Sequence, residues 1–402
     1  MALDGMSKAL SQLSRLATSG TPPDSQTASK ISVGLDGTLN RVQNEVFPYL
    51  SAGGTEIQFI YGANGRGKTH YLLSMEEIAK SRGFVTARID CPAGKSPFGS
   101  LRSTYEMIAS SLVPPPTMQL SSAPSQGASS IVSAALSGKS SVEIKEVIAR
   151  IKTSKHLSPD FRNLVLAYGA SVLTGSTITD KVEKSLEALL LGSSTNLISI
   201  SELYRADKSL PKPLGRITNR NAATWLRSLL SLPAALGYPG CVIMFDETER
   251  AFHGVSSSAM QQQLANMRNL VDYCALGAFS GCLILYSAAE QFLDFTRQHL
   301  DALAQRIEPP SMLDSILMSN QRSIWTDLED LTSPRTDDKA FFIALGEKIV
   351  QLGVEAGLTS ARVEPLKRAL SSEAKSYARA PTSGVVRQFV KYAASKVAME
   401  VR

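Results

Sequence analysis

Gly62-Ala63-Asn64-Gly65-Arg66-Gly67-Lys68-Thr69 is a complete GxxxxGK[ST] phosphate-binding loop, set between a strand pattern and a helix pattern. Ahead of it the apolar run Ile57-Gln58-Phe59-Ile60-Tyr61 reads as a buried strand, and from Thr69 to Ala79 the apolar residues recur at helical spacing. Glycines at 62, 65 and 67 let the backbone wrap a polyphosphate with its N–H groups pointing inward. The start of the helix adds partial positive charge for those anions. Lys68 is placed to reach the β- and γ-phosphates and the Thr69 hydroxyl to bind Mg²⁺. Ala63, Asn64, Arg66 and His70 complete the expected nucleotide contacts. The stretch predicts a site for a nucleoside triphosphate such as ATP.

Outward from the loop, further strands are expected at 84–90, 241–245 and 282–286, with helical patterns between them. Strand, phosphate loop, then alternating helices and strands predict an α/β P-loop fold with a parallel sheet flanked by helices and ligands at the strands' carboxyl ends. Residues 1–28 read as a short helix and a polar loop, and 29–310 as the nucleotide-binding core. Within the core, about 111–215 reads as a helical insertion that opens with a flexible proline- and serine-rich loop from Pro114 to Ser141. A basic loop spans 208–220. After Glu308-Pro309-Pro310, residues 311–402 read as a C-terminal helical, basic domain that could close on the site as a lid. No internal repeat is visible.

Cys241-Val242-Ile243-Met244-Phe245-Asp246-Glu247 ends an apolar run in two acids. Ionised groups are costly inside a buried strand, so the pair belongs at a strand tip facing a cleft. Asp246 would hold Mg²⁺ partly through water, and Glu247 would orient and polarise an attacking water. Glu249 is expected to pair with Arg250 or Arg268. Ser287, ending the run Cys282–Tyr286, is a candidate for a γ-phosphate or water contact, or simply the start of a loop. Arg306 is a candidate transition-state clamp for a neighbouring subunit, or a strand-edge salt bridge. Arg387, opening a late helix, is a candidate nucleotide contact from the lid.

The chain has 402 residues, 19% of them charged, and a net charge of +6. No run of 18 or more apolar residues is present, so no membrane-spanning helix is expected, and the N-terminus lacks a secretion signal's apolar stretch. The four cysteines lack CxxC spacing and fit buried thiols in a reducing cytoplasm. From Arg335 to Arg402, 12 Lys/Arg face 7 Asp/Glu, which concentrates positive charge where it can meet phosphate backbones.

With both motifs placed, the chain resembles AAA+ ATPases of the replication-initiator type and, more narrowly, the BREX-system ATP-binding proteins of bacterial anti-phage defence islands. The resemblance rests on three stretches: Leu16-Ala-Thr-Ser-Gly-Thr-Pro-Pro23 with Ile31-Ser-Val-Gly34, the phosphate loop continuing to Leu72, and Leu236-Gly-Tyr-Pro-Gly-Cys-Val-Ile-Met-Phe-Asp-Glu-Thr-Glu249. It covers about 16–110 and 215–395. It implies an Mg²⁺-dependent, ATP-hydrolysing AAA+ enzyme in the cytoplasm, homo-oligomeric as a ring or filament, acting on double-stranded DNA with other defence-system proteins. Two departures stand out. Leu35 follows Gly34 where relatives often carry Arg, which weakens an adenine-pocket assignment there, and Ser287 stands where the wider class has Asn or Thr. Two other functions share these motifs: an AAA+ transposition regulator that marks DNA targets, and an ATP-dependent signalling scaffold with slow hydrolysis.

Overall fold

The computed structural model describes residues 2–92, 96–116, 126–174, 180–193, 198–308, 325–335, 338–379 and 384–401. Six strands, β1 (Thr55–Tyr61), β2 (Val85–Asp90), β3 (Leu112–Val113), β4 (Cys241–Asp246), β5 (Cys282–Ala288) and β6 (Trp325–Asp327), form one sheet in the order β3-β2-β4-β5-β1-β6. All pairings are parallel except β2 with β3. Parallel strands need covered faces, and β4 and β5 at the centre are buried along their whole length.

The period-2 alternation of side chains divides the sheet between two cores. Phe59, Ile243, Phe245, Ile284 and Tyr286 face the larger one, which takes in the helices between β3 and β4. Ile60, Val242, Met244, Leu283 and Leu285 face the other, against Leu72 and Met75 of the helix Lys68–Ser81 and Phe47 of the segment ahead of β1. An aromatic ladder crosses three strands. Phe59 pairs in register with Tyr286, and Tyr286 with Phe245, with ring centroids 4.5 and 5.0 Å apart. A one-residue slip would turn these rings to the opposite core, so the ladder fixes which residues end the strands side by side.

Two expectations are corrected. The serine-rich stretch predicted as a flexible loop contains the helix Ala128–Leu136, buried at every position. Its small side chains allow close packing, and its hydroxyls are satisfied: Ser130 donates to the Gly127 carbonyl, Ser129 to Glu187, and Ser133 bonds the Tyr168 hydroxyl. The part of that loop at 117–125 lies outside the described residues. The region after 310, read as helical throughout, contributes β6, which pairs parallel with β1. Three residues are too few to show an alternation, and β6 is held by tertiary contacts, with Trp325 stacked on Tyr61 at 4.6 Å.

A third core joins the two ends of the chain. Leu13 and Leu16 of the helix Ala2–Ser19, with Ile31 and Val33, pack against Phe342, Leu345, Ile349, Phe389 and Ala393 of the helices Lys339–Glu355 and Val385–Val401. The helix that opens residues 1–28 therefore shares its core with the C-terminal helices.

Candidate active site

The loop after β1 turns on Gly65 (φ 79°) and Gly67 (φ 112°), left-handed conformations that suit glycine. Gly65 has a second constraint: a Cβ there would lie 2.5 Å from the Gly384 Cα. Gly384 N–H also donates to the Asn64 carbonyl at 3.0 Å, so the loop is pinned to the start of the helix Val385–Val401. Arg66 forms an ion pair with Glu329 at 3.5 Å, in the turn following β6. Lys68 is buried and donates to the Gly62 carbonyl at 2.5 Å. Burial pulls its ammonium below the ordinary lysine value, opposed by the negative charges of Glu249, Asp246, Glu290 and Glu247. Those acids therefore act electrostatically on the loop lysine although they lie far from it in sequence. His70, bordering the same space, is pushed down to about 4 by burial and is neutral at physiological pH.

Asp246 ends β4, and the strand register sets it beside Ser287 near the end of β5. Ser287, wholly buried, donates its hydroxyl proton to Asp246 Oδ1 at 2.5 Å and accepts from the Glu247 N–H at 2.9 Å. The Glu247 N–H also reaches Asp246 Oδ1 at 3.0 Å. Ser287 thus ties the Asp246 carboxylate to the backbone of Glu247. Glu247 has φ 51°, the one left-handed non-glycine among the described residues. Such a backbone costs on the order of 1–3 kcal/mol and persists where its surroundings hold it. Its carboxylate pairs with Arg250. Glu249, expected to pair with Arg250 or Arg268, instead accepts from the Ala289 N–H at 3.2 Å, while Arg268 pairs with Asp272. The reason is local: the 3₁₀ turn Thr248–Phe252 aims Arg250 back at Glu247, three residues earlier.

Loop and acids line one cleft of about 600 Å³, shared by Asn64, Gly65, Arg66, Gly67, Lys68, Thr69, His70, Asp246, Glu247, Glu249 and Arg250. Ile31, Val33, Leu35, Phe341, Leu345, Val386 and Val390 form an apolar wall, and Arg387 and the turn Gly20-Thr21-Pro22 complete the rim.

The family described as BREX system ATP-binding protein BrxC/D matches residues 13–128 and 117–391. The chain belongs to the BREX system ATP-binding protein family. No curated protein matches it. The family match includes the phosphate loop, both acids and Arg387, and continues through the helices that the sequence resemblance left out. No helix among the described residues is long and apolar enough to cross a membrane.

For this BREX-family chain the cleft suits a nucleotide. Its volume falls in the usual ligand range of about 300–1,000 Å³. It pairs a glycine-built anion cradle with an apolar wall of the kind that suits a base. Leu35, whose place after Gly34 weakened an adenine-pocket assignment, lies in that wall, where an apolar side chain favours a base more than a charge would. Thr69 and Asp246 border the same space, which suits Mg²⁺ held by one hydroxyl, one carboxylate, phosphate oxygens and water. Ala63 and Gly62 contribute carbonyls to Lys68. Arg306 lies apart from the cleft on the helix Asp301–Ile307 and pairs with Asp272. Residues 381–383, which precede Arg387 in the expected helix opening, lie outside the described residues. The apolar wall at 341, 345, 386 and 390 escaped sequence reasoning, because core and ligand-facing positions share one helical periodicity. The single cue was the Ile31-Ser-Val-Gly34 stretch.

Proposed function

We propose that this chain is a Mg²⁺-dependent ATPase of AAA+ type that works with partner proteins on duplex DNA in BREX anti-phage defence. The observation that carries the reading is the convergence of Lys68, Thr69, Asp246 and Glu247 on one cleft. Lys68 would leave its loop carbonyls for the β- and γ-phosphates. Thr69 and Asp246 would hold Mg²⁺, which offsets the charge that develops on the phosphates when bound. Glu247 orients and deprotonates the attacking water, and Ser287 keeps both acids in place. Arg387 meets the nucleotide from the helix Val385–Val401. In a homo-oligomeric ring or filament in the cytoplasm, Arg306 would have to leave Asp272 to reach a neighbouring site.

The test is ATP binding and turnover, measured with and without duplex DNA and alongside native mass. Lys68→Ala should lose binding. Glu247→Gln should bind ATP as the wild type does, with turnover lowered about 10²- to 10⁴-fold. Unchanged turnover in Glu247→Gln removes that residue from its role.

One observation favours a slow switch as a second reading. Arg250 occupies the Glu247 carboxylate, so water activation waits until that pair opens. Under this reading Arg250→Ala raises basal turnover a few-fold; a fall in turnover would instead make Arg250 part of the hydrolytic site.

A further inference from the structure

Residues 208–220, between the helices Ile200–Ala206 and Ala222–Leu236, carry Lys208, Lys212, Arg216 and Arg220 at every fourth position and no acid. The segment is neither helix nor strand, yet it is firmly held. Leu210, Leu214 and Ile217 are buried in the main core. The Leu214 N–H donates to the Tyr204 hydroxyl at 2.6 Å, and the Asn163 amide donates to the Pro213 carbonyl at 3.0 Å. Asn221 accepts from the Thr218 N–H at 2.7 Å and donates to the Arg216 carbonyl at 3.0 Å. Asp207, the nearest acid in sequence, is spent on the Ser209 N–H and hydroxyl. Backbone groups are thus tied down while all four cations stay exposed, and none of the four forms an ion pair among the described residues. Lys212 lies over the Tyr204 ring at 4.8 Å, which steadies its stem without neutralising it.

We propose that this strap is the surface through which the protein grips the phosphate backbone of duplex DNA. The inference rests on the DNA-directed reading above and replaces the C-terminal region as the main contact. Unpaired surface charge repels itself and gains nothing for the fold, whereas four cations carried on a backbone already held in place lose no backbone entropy when they meet phosphates. Exposed Asn219 adds a neutral amide donor that suits phosphate oxygens. The large aliphatic residues of the strap, Leu210, Leu214 and Ile217, are buried, so it presents none of the aromatic or large aliphatic anchors on which a protein partner or a membrane would rely. In the C-terminal region, by contrast, seven acids are interspersed among the cations, Arg362 pairs with Glu400 and Lys367 with Glu364, and Arg387 belongs to the nucleotide cleft.

The test is equilibrium binding of a labelled duplex by the full-length chain over a salt series. It compares wild type, a strap variant (Lys208→Gln, Lys212→Gln, Arg216→Gln and Arg220→Gln combined) and a tail variant (Lys375→Gln with Lys396→Gln). ATP affinity is measured on each. The strap variant should lose at least tenfold in DNA affinity, and its log–log salt slope should fall by about 0.9 for each phosphate contact removed. The tail variant and all ATP affinities should stay near wild type. A Lys212→Arg, Arg216→Lys exchange, which keeps the charge, should retain the slope. If the wild type binds duplex and the strap variant keeps its affinity and slope, the strap assignment fails alone. A wild type that binds ATP but no duplex overturns the strap and the DNA-directed reading together.

Discussion

Glu247 combines three features that seldom coincide: a left-handed backbone on a non-glycine, an amide tied to Asp246 and Ser287, and a carboxylate on the cleft. The two acids could be singled out in the sequence because an apolar strand ending in Asp-Glu, common by itself, gains meaning in a chain that also carries a phosphate loop. The role of Ser287 could not, since a serine at the end of a strand looks the same whether it touches ligand or holds a neighbour. Ser287→Ala should cost about 1–3 kcal/mol of stability by removing the donor to buried Asp246. It should lower kcat more than it weakens ATP binding; equilibrium denaturation and steady-state kinetics read the two effects. His70 gives a pH test. Its pKa is about 4 folded and ordinarily 6.5, so the unfolded chain takes up a proton first as pH falls. The contribution is fully present above pH 6.5 and is lost as pH falls toward 4. It amounts to at most about 3 kcal/mol, and less because His70 borders the open cleft. His70→Asn should flatten the decline in stability between pH 6.5 and 4.5; an unchanged slope would assign the decline to other groups.

The phosphate loop and the helix Val385–Val401 act as one element, joined where Gly65 meets Gly384 and Asn64 accepts from it. Nothing local in the sequence announces that contact across some 320 residues, whereas the loop itself is written in its glycines. Gly65→Ala would meet both a left-handed φ of 79° and backbone 2.5 Å away, with no flexible side chain to yield. The left-handed cost alone is about 1–2 kcal/mol. The variant should therefore bind ATP at least tenfold more weakly by calorimetry, while an affinity equal to wild type would show that the loop and helix separate freely. The helix Ala128–Leu136 teaches the complementary lesson. Its serines and alanines resemble a linker in composition, and only burial beside Tyr168 and Glu187 makes them core.

The molecule closes on itself, because the entry helix and the C-terminal helices form one core and the cleft lies between that core and the sheet. The parallel α/β sheet could be read from the chain in advance; the partnership of its two ends could not, since amphipathic helices do not name the face they will meet. Leu13 is fully buried in that shared core, so Leu13→Ala should cost about 2–5 kcal/mol. It should also weaken ATP binding, because the Gly20-Thr21-Pro22 turn that follows borders the cleft. Thermal unfolding with and without ATP checks both, and loss of stability with no change in affinity would uncouple the core from the site.

The most direct measurement is a double-mutant cycle on ATP affinity, with and without Mg²⁺, using Thr69→Ala, Asp246→Asn and the pair. If the loop hydroxyl and the strand-tip carboxylate hold one ion, the first substitution removes most of the Mg²⁺ effect and the second adds little, a coupling of about 0.5–3 kcal/mol that vanishes without the metal. Additive losses that are indifferent to Mg²⁺ would contradict the account.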